Sequence, residues 1–255
     1  GISRGQQLTL PHLTETELAK LASAMDNMRQ ELEGKDYVEK YVHALTHELK
    51  SPVSAIKGAS EILTPNLPAD IQNKFISNIQ VEVERIDDMI NRLLALVTVE
   101  NQQHLENVEC FDLIIVLMQV LESKKTQISS KSLTIQSLIP ETLPINGDCF
   151  LLAQALDNLM QNAFDFSPEN GVINIEINLN HQTEIIIRDH GSGIPSYALK
   201  KVFDRFYSLA RPYSLKKSSG LGLCFVKQIA ELHHGSITIE NAPNTGVIAR
   251  LTLNS

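Results

Sequence analysis

The sequence is short of several things. It has only three cysteines, Cys110, Cys149 and Cys224, and they are scattered. An odd number without a CxxC pair supports neither a disulfide framework nor a zinc site, and reads as small buried residues in a reducing compartment. No run of about 18 apolar residues is present, so no membrane-spanning helix is expected within the chain, and the N-terminus lacks the pattern of a secretory signal. Positive charge is scarce as well: 22 Lys and Arg stand against 30 Asp and Glu, a net −8 that argues against an extended nucleic-acid surface. What is present, 43% hydrophobic and 20% charged over 255 residues, is the balance of a soluble globular chain, enough for one large domain or two modest ones.

The first hundred residues carry helical periodicity. Leu18, Leu21, Met25, Met28 and Leu32 recur in steps of three and four, the seam of a short coiled coil. Apolar residues continue through Val38, Val42, Leu45, Leu49, Val53, Ile56 and Ile62 until Thr64-Pro65-Asn66-Leu67-Pro68, where two prolines stop the helix. A second amphipathic run starts near Asp70 and holds Ile71, Phe75, Ile79, Val83, Ile86, Ile90, Leu93 and Val97. Two long helices joined by a short break predict an antiparallel hairpin. Its apolar stripes are too wide for one partner, so two hairpins are expected to pair as a dimeric four-helix bundle.

From about residue 108 the periods mix. A helix is expected over 112–129, with further helices at 148–165 and 221–233. Strands are expected at Leu133–Leu138, Val172–Leu179, Glu184–Arg188, Ser236–Glu240 and Val247–Leu253, the last two joined by a hairpin turn at Asn241–Gly246. The pattern is that of an α/β sandwich, separated from the helical half near 101–109.

Four segments carry chemistry. His47-Glu48-Leu49-Lys50-Ser51-Pro52 lies in the first long helix. Neutral imidazole is nucleophilic near pH 7, Glu48 could take or orient its proton, and Ser51 at i+4 shares the same helix face. A His-Glu pair is equally an ordinary solvated pair, and Ser51 in place of a second His rules out an HExxH zinc site. Asn158-Leu159-Met160-Gln161-Asn162 places two carboxamides at i, i+4, suited either to Mg²⁺ or to helix hydrogen bonding. Asp189-His190-Gly191-Ser192-Gly193-Ile194 follows an apolar strand, where a carboxylate can accept from an exocyclic amine, although DxGxG also makes plain turns. Ser219-Gly220-Leu221-Gly222-Leu223 opens a helix whose free N–H groups would face phosphate. Between the last two, residues 195–219 hold Lys200, Lys201, Arg205, Arg211, Lys216 and Lys217 against Asp204 alone, a local +5 that suggests a mobile cover for a polyphosphate. Its aromatics Phe203, Phe206 and Tyr207 are expected to anchor that cover to the core.

In order and spacing these segments resemble the sensor histidine kinases of two-component systems. His47–Pro52 resembles the H box, Asn158–Asn162 the N box, Asp189–Gly193 the G1 box, Phe203–Phe206 the F box and Gly220–Leu223 the G2 box. The wording at 41–52, 203–209 and 218–223 is most similar to the CreC subfamily. The resemblance implies a signal-transmitting linker helix over 1–35, a dimerisation and histidine-phosphotransfer domain over 36–102, and a GHKL (Bergerat-type) ATP-binding α/β sandwich over 108–255. It implies His47 as phosphoacceptor, Glu48 as acid/base, and Ser51 where a residue assisting response-regulator dephosphorylation often stands. ATP would be held by Asn158, Asn162, Phe166, Asp189, Gly191, Gly193, Ile194, Lys216, Ser219, Gly220, Leu221, Gly222 and Leu223, with Mg²⁺ on Asn162 and Asn158 in support. Implied partners are a second copy of the chain and a cognate response regulator, with no nucleic acid. Gly1-Ile2-Ser3-Arg4 is not read as a native start, and the parent is expected to be a bacterial inner-membrane protein of which this is the cytoplasmic portion. Three departures stand out: Asp165 where a Lys or Arg is common, Asp204 for Glu, and Ser218 for Gly. The alternatives are a non-catalytic nucleotide-binding dimeric relay, or a plain ATPase or serine kinase of the same fold.

Overall fold

The computed structural model describes residues 45, 46, 48–64, 67–179, 182–210 and 219–254. They fall in two compact units, Gly1–Lys50 and Ser51–Ser255. In the first, residues 45, 46 and 48–50 are helical. The heptad seam between Leu18 and Leu32, the linker expected over 1–35, and His47 all lie outside the described residues.

The second unit opens with helix α1 (51–62), a short loop, and helix α2 (Ala69–Asn101). Pro68 caps α2, which suits a residue with no N–H to satisfy, and its carbonyl accepts from Ile71 and Gln72 at 3.0 Å each. The Gln72 amide then donates to the loop carbonyls of Thr64 (3.2 Å) and Leu67 (3.1 Å), fixing the exit of the break. Helix α2 has 33 residues and runs four residues beyond Val97, the last of the expected apolar run. Met89, Leu96 and Val99 are buried along it, whereas Ile76, Val83, Ile90 and Val97 are exposed at a seven-residue interval.

The rest is an α/β sandwich. Strands β2 (Thr134–Leu138), β4 (Val172–Leu179), β5 (Thr183–Arg188), β6 (Ser236–Asn241) and β7 (Val247–Leu253) form one sheet in the order β2-β4-β5-β7-β6. The β2–β4 pair is parallel and the others antiparallel. Period-two alternation sends Ile173, Ile175 and Ile177 of β4, and Ile185 and Ile187 of β5, to the inner face. There they meet α3 (Leu113–Ser123), α5 (Cys149–Phe166) and α7 (Gly222–Leu232) through Leu117, Leu152, Leu156, Met160, Phe164, Val226 and Ile229, while the single turn α6 (Ser196–Leu199) lies between β5 and α7 in chain order. Phe164 is fully buried, and its truncation to Ala would cost about 3–5 kcal/mol. Leu96 and Val99 of α2 belong to this same core, so the end of α2 is packed into the sandwich.

Three sequence expectations need correction. Of the cysteines expected to be buried, Cys224 is, but Cys149 is half-buried and Cys110 exposed. The helix expected over 112–129 is two, α3 and α4 (Lys125–Ser130), broken at Lys124. Asp112 is a cap: its Oδ1 accepts from Ile114 N and Leu143 N, both at 2.9 Å. At the break the Lys124 N–H donates to Leu121 O at 3.1 Å, and its side chain turns to α5, meeting Asp157 (2.7 Å) and Gln161 (3.0 Å). A two-stranded antiparallel sheet, β1 (Glu109–Asp112) with β3 (Pro144–Gly147), was also unforeseen. Four-residue strands containing Pro and Gly leave no alternation to read.

Candidate functional site

A cleft opens on the sandwich between α5, the 189–194 loop, the 202–209 segment and the start of α7. Helix α5 supplies one wall because Asn158, Asn162 and Phe166 recur every four residues on its half-buried side. Both of its ends are fixed. Asp148 Oδ1 accepts from Leu151 N (3.0 Å) at the N-terminus, and Lys131 Nζ donates to the C-terminal carbonyls of Phe164 (2.7 Å) and Ser167 (3.2 Å). The buried His233 ring braces the entry. Its Nδ1 donates to Ile229 O (2.8 Å), its Nε2 accepts from Asp148 N (3.0 Å), and burial holds it below the usual imidazole range.

One end of the cleft is built on Asp189, directly after β5. Its backbone N–H donates to Val247 O (3.0 Å), and its Oδ1 accepts from Gly191 N (2.8 Å) and Val247 N (3.2 Å). The second carboxylate oxygen has no protein donor among the described residues, and Asp189 lines the cleft. Burial raises the acid's pKa above the ordinary carboxylate value, partly offset by those two backbone donors and by the charges of His190 and Arg188. An oxygen without a donor, on a residue that is itself buried at the cleft, is the chemical complement of an aromatic amine. Asn241 steadies the loop: its Oδ1 accepts from Ile194 N (2.7 Å) and its Nδ2 donates to Ile194 O (2.8 Å).

The other end lies at the start of α7. Leu221 makes no side-chain cap there, so the first N–H groups of the helix are left for a ligand. Gly222 permits α5 to come close: a Cβ would stand 2.9 Å from Asn158 Oδ1. Gly220 has φ +66° and a Cβ there would meet the Phe206 backbone at 2.4 Å, while Phe206 N donates to Gly220 O at 2.9 Å. Asn158 Nδ2 is committed to Gln154 O (2.9 Å), whereas Asn162 lines the cleft with no recorded bond. The Asn158 amide is thus held in one orientation and the Asn162 amide is not, while the Oδ1 of each has no donor among the described residues. Asp165 is turned aside, its Oδ1 accepting from Gln161 Nε2 at 2.9 Å.

Most of the expected site residues meet here: Asn158, Asn162, Phe166, Asp189, Gly193, Ile194, Ser219, Gly220, Gly222 and Leu223 all line the cleft. Two do not. Gly191 sits behind Asp189, where a Cβ would strike Phe166 O at 2.3 Å, and the Leu221 side chain is buried in the core. Lys216 and Ser218 are outside the described residues, as are Arg211 and Lys217. Glu48 is half-buried and Ser51 exposed, each on helical backbone. Phe203 and Phe206 pack on the core as expected, but Tyr207 lines the cleft, and Arg205 pairs with Glu100 of α2. The burial that accompanies that pair also lifts the neighbouring Cys224 thiol to about 11. The sequence reading missed Arg92, Gln161, Tyr207 and Asn241. Gln161 was within sight of the Asn158–Asn162 pair, Tyr207 was expected on the core and Asn241 only in a turn, and Arg92 carried no local signal.

The model of the histidine kinase-, DNA gyrase B-, and HSP90-like ATPase matches residues 147–255, and that of the His Kinase A (phospho-acceptor) domain matches residues 38–102. The chain belongs to the sensor histidine kinases, with a helical phospho-acceptor region ahead of an α/β ATPase domain. Within that family it is similar to Sensor protein CreC of Escherichia coli (strain K12), with 41% identity over 99% of this chain and 53% of that protein. The chain spans about half the length of the curated relatives it matches. Acinetobacter baumannii histidine kinase AdeS shares the fold with a TM-score of 0.63 at 23% identity, over 82% of this chain and 98% of that one. Histidine kinase ThkA, solved in complex with response regulator protein TrrA, gives 0.70 at 22% identity over 96% and 68%. No helix among the described residues is long and apolar enough to cross a membrane.

Proposed function

We propose that this chain moves the γ-phosphoryl group of ATP onto His47 and hands it to an aspartate of a response regulator. The observation that carries the reading is the cleft, which gathers an amine-accepting carboxylate, a free carboxamide and an uncapped helix start on one ATPase-type sandwich. Asp189 holds the adenine amine, Phe166 and Ile194 flank the base, and the N–H groups at the start of α7 meet the phosphates. Asn162 is the direct Mg²⁺ ligand and Asn158 supports it, with Lys216 adding charge from the cover. The metal, when bound, would neutralise charge on the phosphates. Positioning supplies most of the catalysis, with Glu48 orienting the proton of His47 and its ring nitrogen attacking in line.

Residues 36–102 serve as the dimerisation and phosphotransfer domain, residues 108–255 as the catalytic domain, and 1–35 as the incoming signal helix. The seven-residue stripe Ile76, Val83, Ile90 and Val97, between 39% and 45% exposed, supports pairing with a second copy as a four-helix bundle. The ThkA–TrrA complex supports a response regulator as the acceptor, and Ser51 supports a reverse, dephosphorylating activity. Membrane anchoring of a longer parent, on its cytoplasmic side, is part of the same reading.

Incubation with γ-labelled ATP and Mg²⁺ tests it. Acid-labile, base-stable label on the wild type that disappears in His47→Gln is the expected result. No label on the wild type, or label that survives loss of His47, would overturn the proposal in favour of a nucleotide-binding relay or a plain ATPase.

A further inference from the structure

The cleft is poorly supplied with positive charge for a polyphosphate. Among the described residues that line it, Arg92 is the only cation and Asp189 the only anion. Arg92 comes from α2, outside the ATPase sandwich. Its position is set by the residues that follow on the same helical face: Leu96 and Val99 are buried in the sandwich core, and Glu100 holds Arg205. Fixing α2 at 96–100 therefore fixes where the Arg92 side chain begins, one to two turns earlier. Arg92 itself makes no ion pair or hydrogen bond to another described residue, although α2 carries several carboxylates.

The end of the cleft that Arg92 serves follows from α5. Phe166 belongs to the Asp189 end, because its carbonyl lies 2.3 Å from a Cβ built at Gly191. Asn158 lies eight residues back along the same stripe, about 12 Å away, and its Oδ1 abuts Gly222 at the start of α7. Arg92 joins Asn158 and Gly222 in the wall of a second, adjoining groove as well as in the cleft, which sets it at the α7 end. Asp165 cannot serve as a counter-charge and is bound to Gln161.

We infer that Arg92 is a phosphate-binding residue for ATP, supplied to the catalytic cleft by the phosphotransfer-domain helix. This rests on the ATP reading above and adds a consequence to it. Nucleotide phosphates become a tie between α2 and the sandwich, so by linkage ATP tightens that packing and adenosine does not.

The test is equilibrium binding of ATP and of adenosine to the full chain, in Mg²⁺, by calorimetry. Arg92→Gln is expected to weaken ATP about tenfold, the low end for a hydrogen bond to a charged group at a solvated site, and to leave adenosine nearly unchanged. Arg92→Lys should recover much of the loss, and the salt dependence of ATP affinity should fall in the Gln variant. Equal ATP affinity in Arg92→Gln and wild type, or equal weakening of ATP and adenosine, would overturn the inference alone. Failure of the wild type to bind either ligand would overturn the ATP reading beneath it, so the two failures are distinguishable.

Discussion

The two ends of the cleft are built differently. The Asp189 end is closed and made almost wholly of backbone: three hydrogen bonds tie the residue to β7 and to its own loop, and Asn241 clamps Ile194 from β6. The Asn158 end is open and assembled from separate elements, α5, the start of α7 and the incoming helix α2. A base is a fixed planar shape that a rigid pocket can match. A phosphate chain is flexible and charged, and an end that several elements share can also report whether those elements are together. On the reading proposed above, rigidity would serve recognition at one end and assembly would serve control at the other.

Asp189→Asn should break the closed end most severely. The Asn Oδ1 can keep both backbone donors, but its NH₂ would face the adenine amine, and adenosine and ATP should each lose at least about a hundredfold in affinity by calorimetry. The fold should survive. Because burial raises the folded-state pKa of Asp189, the charged acid opposes folding, and that cost grows as pH rises through the unfolded value toward the folded one. At neutral pH the Asn variant is therefore expected to match or exceed wild-type stability in urea melts. For binding the sign is opposite: wild-type adenosine affinity should fall as pH drops through the raised pKa, before an ordinary carboxylate of 3.8 would protonate.

At the open end Asn162→Ala should lower His47 labelling by at least about tenfold while leaving adenosine affinity intact. An equal loss of adenosine would mean that Asn162 shapes the base pocket, and the contrast between the ends would fail. Glu100→Gln tests the assembly itself. Weakening the tie to Arg205 should loosen α2 and reduce ATP affinity by about threefold, again sparing adenosine. A separate test, read in stability rather than in binding, concerns the brace at the start of α5. Burial holds His233 lower in the folded chain than its unfolded 6.5, against the opposing pull of the Ile229 carbonyl and Asp148. Stability should hold above that value and fall as pH decreases below it, by up to about 1.4 kcal/mol per pH unit. Urea melts of His233→Gln should show a flatter pH dependence between 7 and 5.

Much of the sandwich was legible because its signals are local. The alternation Ile173, Ile175, Ile177 and the run Ile185 to Ile187 mark strands, and Val172–Leu179 and Val247–Leu253 have the limits expected of them. The boxes around Asn158, Asp189 and Gly220 were legible because each keeps its chemistry within a few residues. The break at Lys124 was not, since a side-chain attraction to Asp157 on another helix accompanies it. Tyr207 looked like a core anchor beside Phe203 and Phe206, because aromatic spacing does not say which ring meets the cleft.

The sequence by itself determined the class of protein, the order of its helical and α/β parts, and the residues from which a nucleotide cleft could be made. Only the tertiary structure decided that Asn241 clamps the 189–194 loop, that Asn162 is freer than Asn158, that Arg205 turns to Glu100, and that Arg92 reaches the cleft. The reason is physical. Period and propensity act over a turn of helix or a length of strand, whereas these contacts join residues from 47 to 105 positions apart, or lie wherever two packed surfaces meet. Which polar group stays free is settled when the others have found partners.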